Sequence, residues 1–502
     1  MKSILTLSTI TPGTRAAMLG LALFSLAHCS SGDETTSQVT SGGSAGLSGP
    51  LVFVNNTGDK TLTSVALKGD SGNAVVGTIP AAEFENAALG DMQFSDGNWL
   101  FLNLAAANKV ATIDPLTAAT PVHESNLAAG TRPVHIYRDS NDGEVVWVMN
   151  DGDNAGGTST PGDDLVNCAT EKGGSVTAIH NSHLGPGGTP PRVLGTTCLL
   201  ANGHKVATFS SGAGVPKRVF VTSEDAGEMA VIDDDEASTT YRKMTNRIDL
   251  CNSAKETTPC NSEVSTPLTT AFTPNSSLPH GIRWSKLTKK VYSILEGYHH
   301  IVEIDPTTLA ITKTFDLAGT LYTGYGITPD GRFLLLRGET TAPQAAKLGV
   351  IDLGTAGTPR TDFTIPELDG ASTSFSFKFS PDGKRFYILA GNAAASTKKD
   401  RLFAFDSSTL TATPPALTLI KEIVLVPGGD TAGFNLAHIM DVLGQGAGEA
   451  TYIVVTNRAD NSVSIINATD NLIKQTIPVG PTPGGIQIYH SGAAAAGNQA
   501  TS

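Results

Sequence analysis

The chain has 502 residues, with 34 Lys and Arg against 47 Asp and Glu, a formal net charge of −13 and only 16% charged residues. Neutralising phosphates needs clustered cations, and no long basic run is present, so nucleic acid is excluded as a partner. The 53 glycines and the abundance of Ser and Thr favour short strands and many turns over long charged helices, so the chain reads as all-β.

At the start of the chain, Lys2 and Arg15 precede a short apolar run, 16–27, that suits a signal h-region and is too short to span a bilayer. Residues 1–28 are therefore expected to be a signal peptide and the protein to be exported. Leu26-Ala27-His28-Cys29 resembles the bacterial lipobox, which implies lipidation at Cys29 and a place in the cell envelope, in the periplasm or at the outer membrane. Membrane attachment would run only through that anchor. The Ser/Gly/Thr-rich stretch completing 29–49 is expected to be a flexible tether, 50–490 the folded domain, and 491–502 a disordered tail.

Beyond Cys29 the cysteines form an even set, Cys168, Cys198, Cys251 and Cys260, in a chain bound for an oxidising space. Disulfides Cys168–Cys198 and Cys251–Cys260 are the expected pairing. A cysteine zinc site is the competing reading, but no pair has Cys-x-x-Cys spacing.

The folded domain repeats itself. Near the end, Tyr452-Ile453-Val454-Val455-Thr456-Asn457 is followed by Ser462-Val463-Ser464-Ile465-Ile466 and Gln475-Thr476-Ile477-Pro478. Leu51-Val52-Phe53-Val54-Asn55-Asn56, then 62–67 and 75–80, is the same series at the other end. Between them, third strands end at Asp114, Asp233, Asp305, Asp352 and Asp406, and Thr328-Pro329-Asp330-Gly331 and Ser380-Pro381-Asp382-Gly383 are turn signals. These segments resemble the YVTN-type β-propeller repeat, which implies a ring of about eight four-stranded blades. Inner strands beginning near Met92, His135, His204, His280, Tyr325, Phe377 and His438 give seven units. The eighth is composite, with residues 482–490 inside and 51–80 outside, so that pairing of the two chain ends closes the ring and removes an exposed edge. Seven blades is the alternative count, because 150–203 holds a long insertion.

In a propeller the residue opening each inner strand projects toward the central channel. Aligning the inner strands on Pro279-His280-Gly281-Ile282 places Met92, His135, His204, His280, Tyr325, Phe377, His438 and Gly484 at equivalent positions, and four of these are among only 11 histidines in the chain. Imidazoles converging from separate blades suit Zn²⁺, and the Met92 thioether would favour copper if it reached. The plain alternative is a set of histidines lining a watery channel.

Arg132-Pro133-Val134-His135 with Asn150-Asp151-Gly152-Asp153, Gly203-His204-Lys205-Val206-Ala207, and Pro279-His280-Gly281 resemble segments of the periplasmic eight-bladed zinc-binding propellers. Those proteins pass zinc to the solute-binding protein of an ABC-type importer. The resemblance implies His135, His204, His280 and His438 as ligands, a carboxylate contribution from Asp151 or Asp153, and a periplasmic solute-binding or other envelope protein as partner. Asp233-Asp234-Asp235-Glu236 and Tyr298-His299-His300 are weaker candidates for a cation site, the plain reading of each being a solvated turn. No Gly-x-Ser-x-Gly, Walker A, His-Glu-x-x-His or Cys-x-x-Cys-His occurs. A propeller enzyme, such as a lactonase or a dehydrogenase subunit, and a surface protein-interaction module remain the alternative functions. Catalysis is disfavoured because no carboxylate falls on the aligned channel ring.

Overall fold

The computed structural model describes residues 49–489 apart from 97–98, 118–120, 153–173, 182–189, 200–202, 258–259, 261–264, 267, 269–272, 318–319, 340–345, 356, 358–359, 364–370, 393–399, 426–439 and 445–449. Cys29, Asp153, Cys168 and His438, the leader at 1–28 and the tail at 491–502 lie outside the described residues.

Eight antiparallel sheets follow one another along the chain, so the fold is an eight-bladed β-propeller and the seven-blade count is set aside. The closing blade, blade 1, sets Pro483–Tyr489 innermost, then Leu51–Asn56, Thr61–Ala66 and Ala74–Ile79. Leu51 pairs with Tyr489 and Val54 with Ile486, which is the closure read from the sequence. The inner strands of blades 2 to 8 are Leu89–Phe94, Pro133–Arg138, Lys205–Ser210, Pro279–Ser285, Leu321–Ile327, Ala371–Phe379 and Met440–Gly444. In blade 3 the insertion, mostly outside the described residues, falls between the second strand, Val145–Asn150, and the third, Ser175–His180.

Side chains alternate between the two faces of a strand, and in a propeller both faces of a blade are covered. Blade 1 shows this residue by residue. Leu51 and Phe53 pack with Phe94, Leu100 and Leu102 of blade 2. Val52 and Val54, pointing the other way, pack with Val454 and Ile465 of blade 8. All four are fully buried, each stabilising the ring by about 1.5–3 kcal/mol, so an unbroken apolar run is what a two-sided strand requires.

Polar residues of the repeat are explained by the backbone they satisfy. Asn56, Asn150 and Asn457 end second strands, and each side-chain amide donates to two hydroxyls of the third: Thr61 and Thr63, Ser175 and Thr177, Ser462 and Ser464. The terminal Asp of the third strand accepts the amide two residues on, from Leu116, Asp235, Thr307, Gly354 and Ser408, fixing the next turn. Gly331 and Gly383 close their Pro-Asp-Gly turns at φ +79° and +71°, where a Cβ is strained.

Cys251 and Cys260 are disulfide-bonded with Cα atoms 6.2 Å apart. Cys198 is also disulfide-bonded, and its expected partner, Cys168, lies outside the described residues.

Candidate metal centre at the channel mouth

His135, His204 and His280 come from the inner strands, or the residue just before them, of blades 3, 4 and 5. Their rings form a row with His204 in the middle. The centroids of His135 and His204 are 4.8 Å apart, and those of His204 and His280 are 5.2 Å apart. Two imidazoles bonded to one tetrahedral zinc at about 2.0–2.1 Å hold their centroids roughly 5 Å apart, so the spacing is that of neighbouring ligands. The interplanar angles are 77° and 45°. Among the described residues no group of three or more His, Cys, Asp or Glu is already arranged to hold an ion, so the rings must turn to converge on one.

The reason for their proximity differs from the one the sequence suggested. Pro133 faces Asn150 and Ile136 faces Val148, while Pro279 faces Leu295 and Ile282 faces Ser293. Counting between these fixed points makes His135 equivalent to Gly281 in the repeat, and His280 equivalent to Val134. His204 lies further back, before Lys205, which faces Ser223. The three histidines therefore occupy three different positions of the repeat. A β-bulge in the inner strands of blades 3 and 5 adds a residue and re-aims the side chains there. Gly281 takes φ +83° within its bulge. Met92 lies opposite Leu102, at the place of Ile136 and Ile282, and is 2% exposed in the apolar core with Phe53 and Phe94; it is not in the histidine row. Tyr325 is buried, its hydroxyl donating to Tyr292 O.

Position in the repeat is instead shared by three carboxylates. Asp151, Glu224 and Glu296 each follow the second strand of blades 3, 4 and 5, and their amides donate to the carbonyls of Arg132, His204 and Leu278. Aligning second strands rather than first strands would have found them. With Asp91, the residue before Met92, they give every imidazole an acidic partner. His135 Nδ1 lies 3.3 Å from Asp91 Oδ2, His280 Nδ1 2.9 Å from Glu296 Oε1, and His204 Nδ1 3.8 Å from Asp151 Oδ2. A carboxylate on Nδ1 fixes ring orientation and leaves Nε2 to bind. Asp151 is 7% exposed, and its Oδ1 is buried without a hydrogen-bond partner. Burial pushes the Glu224 carboxyl above the ordinary range, although His280 and His204 pull it back; Glu296 and Asp225 add to the rise. The carboxylates come not from the aligned first-strand positions but from the residue before Met92 and from the turns after the second strands, Asp151 among them.

The weaker candidates separate. Asp233 and Asp235 cap their own turn by accepting the amides of Asp235 and Ala237, whereas Asp234 is buried and accepts from Asn141 Nδ2 at 2.8 Å. His299 closes a turn at φ +56° and His300 enters the next strand, its Nε2 4.0 Å from Asp316.

No protein-family model matches the sequence, and no curated protein does. Solved structures are similar in fold. Two structures of AztD from Citrobacter koseri, the second of the apo protein, share 12% and 14% identity, with 89% of this chain and 100% of theirs covered and TM-scores of 0.53 and 0.51. The dihydro-heme d1 dehydrogenase NirN in complex with DHE shares 13%, covering 89% of this chain and 76% of its own, at TM-score 0.53. At such identities the likeness is one of fold, and it agrees with the eight sheets as the architecture of this chain.

Proposed function

We propose that this chain is an exported metal-binding propeller that takes one Zn²⁺ at the channel mouth, with Cu²⁺ the second choice, and serves in metal storage or transfer. The observation that carries the reading is the row of three imidazoles at ligand spacing, each with a carboxylate beside Nδ1. Three neutral nitrogen donors and oxygen donors at hand match the preference of a borderline-soft divalent ion, and nothing in the row offers the sulfur that would favour Cu⁺. Asp151, with a buried oxygen lacking a hydrogen-bond partner, supplies an anionic donor nearby. His438, the fourth ligand expected from the sequence, and Asp153 are further candidates. The lipobox-like leader supports attachment of Cys29 to an envelope membrane, and the resemblance to zinc-binding propellers supports a solute-binding protein as recipient.

A second reading, a metal-dependent hydrolase, is favoured by one observation: Glu224 is a carboxyl held above its ordinary range next to His204 and His280, as a general base requires. Titration of the metal-free chain with Zn²⁺, followed by a screen for ester and lactone hydrolysis, separates the two. Stoichiometric zinc without turnover supports storage or transfer, zinc-dependent turnover abolished in Glu224→Gln supports the hydrolase, and no binding sinks both.

A further inference from the structure

The loop closed by the Cys251–Cys260 disulfide lies outside the metal site, yet Glu256 within it contacts both segments that carry the His280–Glu296 pair. Within that loop, Glu256 Oε1 accepts three hydrogen bonds at once: from the Ser276 amide and hydroxyl, both at 2.7 Å, and from the Tyr298 hydroxyl. The same hydroxyl accepts the amide of Asn252, the residue after Cys251, at 3.3 Å. At the base of the loop, the Cys251 amide donates to Asp249 Oδ1, which also accepts from Asn275 Nδ2.

Ser276 and Tyr298 belong to the two sides of one hairpin. Ser276 leads into Pro279–Ser285, the strand that carries His280 as its second residue. Tyr298 ends the short 3-10 turn Glu296–Tyr298, which begins with the carboxylate that accepts from His280 Nδ1 at 2.9 Å. The two sides are joined here by the Glu296 and Gly297 amides donating to the carbonyls of Leu278 and Ser277. One carboxylate thus staples together the segment bearing the imidazole and the turn bearing its partner. Tyr298 is 2% exposed, so its ring is fixed by packing and only its hydroxyl reaches the loop. What Glu256 fixes is the separation of Ser276 and Tyr298.

We propose that the disulfide-closed loop is a brace for one arm of the metal site, in which Glu256 is a positioning residue that holds the His280–Glu296 pair in register through Ser276 and Tyr298. The proposal rests on the metal-binding reading for its consequence, but its geometry stands without it. The brace keeps the Glu296 carboxylate on Nδ1, so that His280 presents Nε2; slackening it lets the ring exchange tautomers and costs affinity by misdirecting one ligand. Partners one step removed from metal ligands commonly change affinity by about 10–100-fold, and a brace one step further out is expected near the lower figure.

The test uses the full purified chain with three substitutions, Glu256→Ala, Tyr298→Phe and Glu256→Gln, read in two ways. The first readout is Zn²⁺ affinity by competition with a chelator of known affinity. The second is the ¹⁵N shifts of the His280 ring in the metal-free protein above pH 7.5, with His135 and its Asp91 partner as an internal control. Glu256→Ala and Tyr298→Phe are expected to weaken zinc about tenfold and to convert His280 from a single Nδ1–H tautomer to a mixture, leaving His135 unchanged. Glu256→Gln, which keeps an accepting oxygen, should remain within about twofold of the parent. Unchanged affinity and tautomer in both Glu256→Ala and Tyr298→Phe would overturn the brace, as would a Gln variant as impaired as Ala. Tyr298→Phe removes one hydroxyl and preserves the buried ring, so it decides the matter if Glu256→Ala unfolds. If the parent binds no zinc, the metal reading fails, while the tautomer comparison still decides the brace.

Discussion

Blades 8 and 1 differ from blades 3 to 5 in a way that separates what the repeat builds from what it carries. In blades 8 and 1 the second strand ends in Asn, the amide of Asn457 or Asn56 bonds two hydroxyls, and the side chains alternate cleanly onto the neighbouring blades. Polar atoms there serve the backbone and their own sheet. In blades 4 and 5 the Asn is replaced by Ser223 and Leu295 and the strand is followed by Glu224 and Glu296, and across blades 3 to 5 the histidines stand at unlike positions of the inner strands. Polar atoms there face one another across blades. Blades 8 and 1 close the ring, and blades 3 to 5 gather the chemistry.

The comparison breaks most visibly if the closing blade is cut. Deleting 483–502 strips blade 1 of its inner strand and exposes the Leu51–Asn56 edge along with Val52 and Val54. Loss of several buried side chains at about 1.5–3 kcal/mol each should abolish cooperative unfolding and promote association, as seen by calorimetry and light scattering. A truncation that melts as sharply as the parent would mean the ring does not depend on its closure.

A smaller effect tests the Asn ladder. Asn457→Ala removes two buried hydrogen bonds and leaves Ser462 and Ser464 without that donor, so chemical denaturation should show about 1–3 kcal/mol lost with zinc binding unaffected. Reduced zinc binding in that variant would dissolve the distinction between the two sets of blades.

The smallest expected effect concerns pH. Asp139 and Asp234 are buried together between blades 3 and 4, and burial raises both carboxyls, each being further affected by the other. The folded protein therefore keeps a proton that the unfolded chain, at an ordinary value near 4, has lost. Stability from this pair is fully present below that value and declines as pH rises toward the raised folded value. Asp234→Asn, which cannot ionise, should flatten this part of the profile from pH 5 to 8 in thermal melts. Glu228, pushed up to about 8 by burial, contributes in the same direction and should leave a residual slope.

Much of this architecture was legible from the residues. The Asp-terminated third strands and the two Pro-Asp-Gly turns marked blades because each satisfies a local backbone requirement that leaves a fixed residue type at a fixed place. The closure was legible because Leu51–Val54 and Gly484–Ile488 are apolar halves of one repeat. The site was legible only in part. His135, His204 and His280 stood out by residue type, but a bulge inserts a residue without any signature of its own, so the alignment that grouped them also drew in Met92, which the bulge in blade 2 turns into the core. Asp91, Glu224 and Glu296 were missed because acidic residues at turns are common, and only the pairing of strands shows that three of the four acids in the site occur at one repeated position.

The most direct test of the metal centre is elemental analysis, with a Zn²⁺ titration, of the chain purified without an affinity tag at pH 7.5, beside His204→Ala/His280→Ala. The account predicts one tightly held zinc per parent chain, none in the double variant, an unchanged melting profile of the metal-free proteins, and weakening of the parent's binding below about pH 6.5 as imidazoles protonate. A parent without zinc, or a double variant that keeps one equivalent, would contradict it.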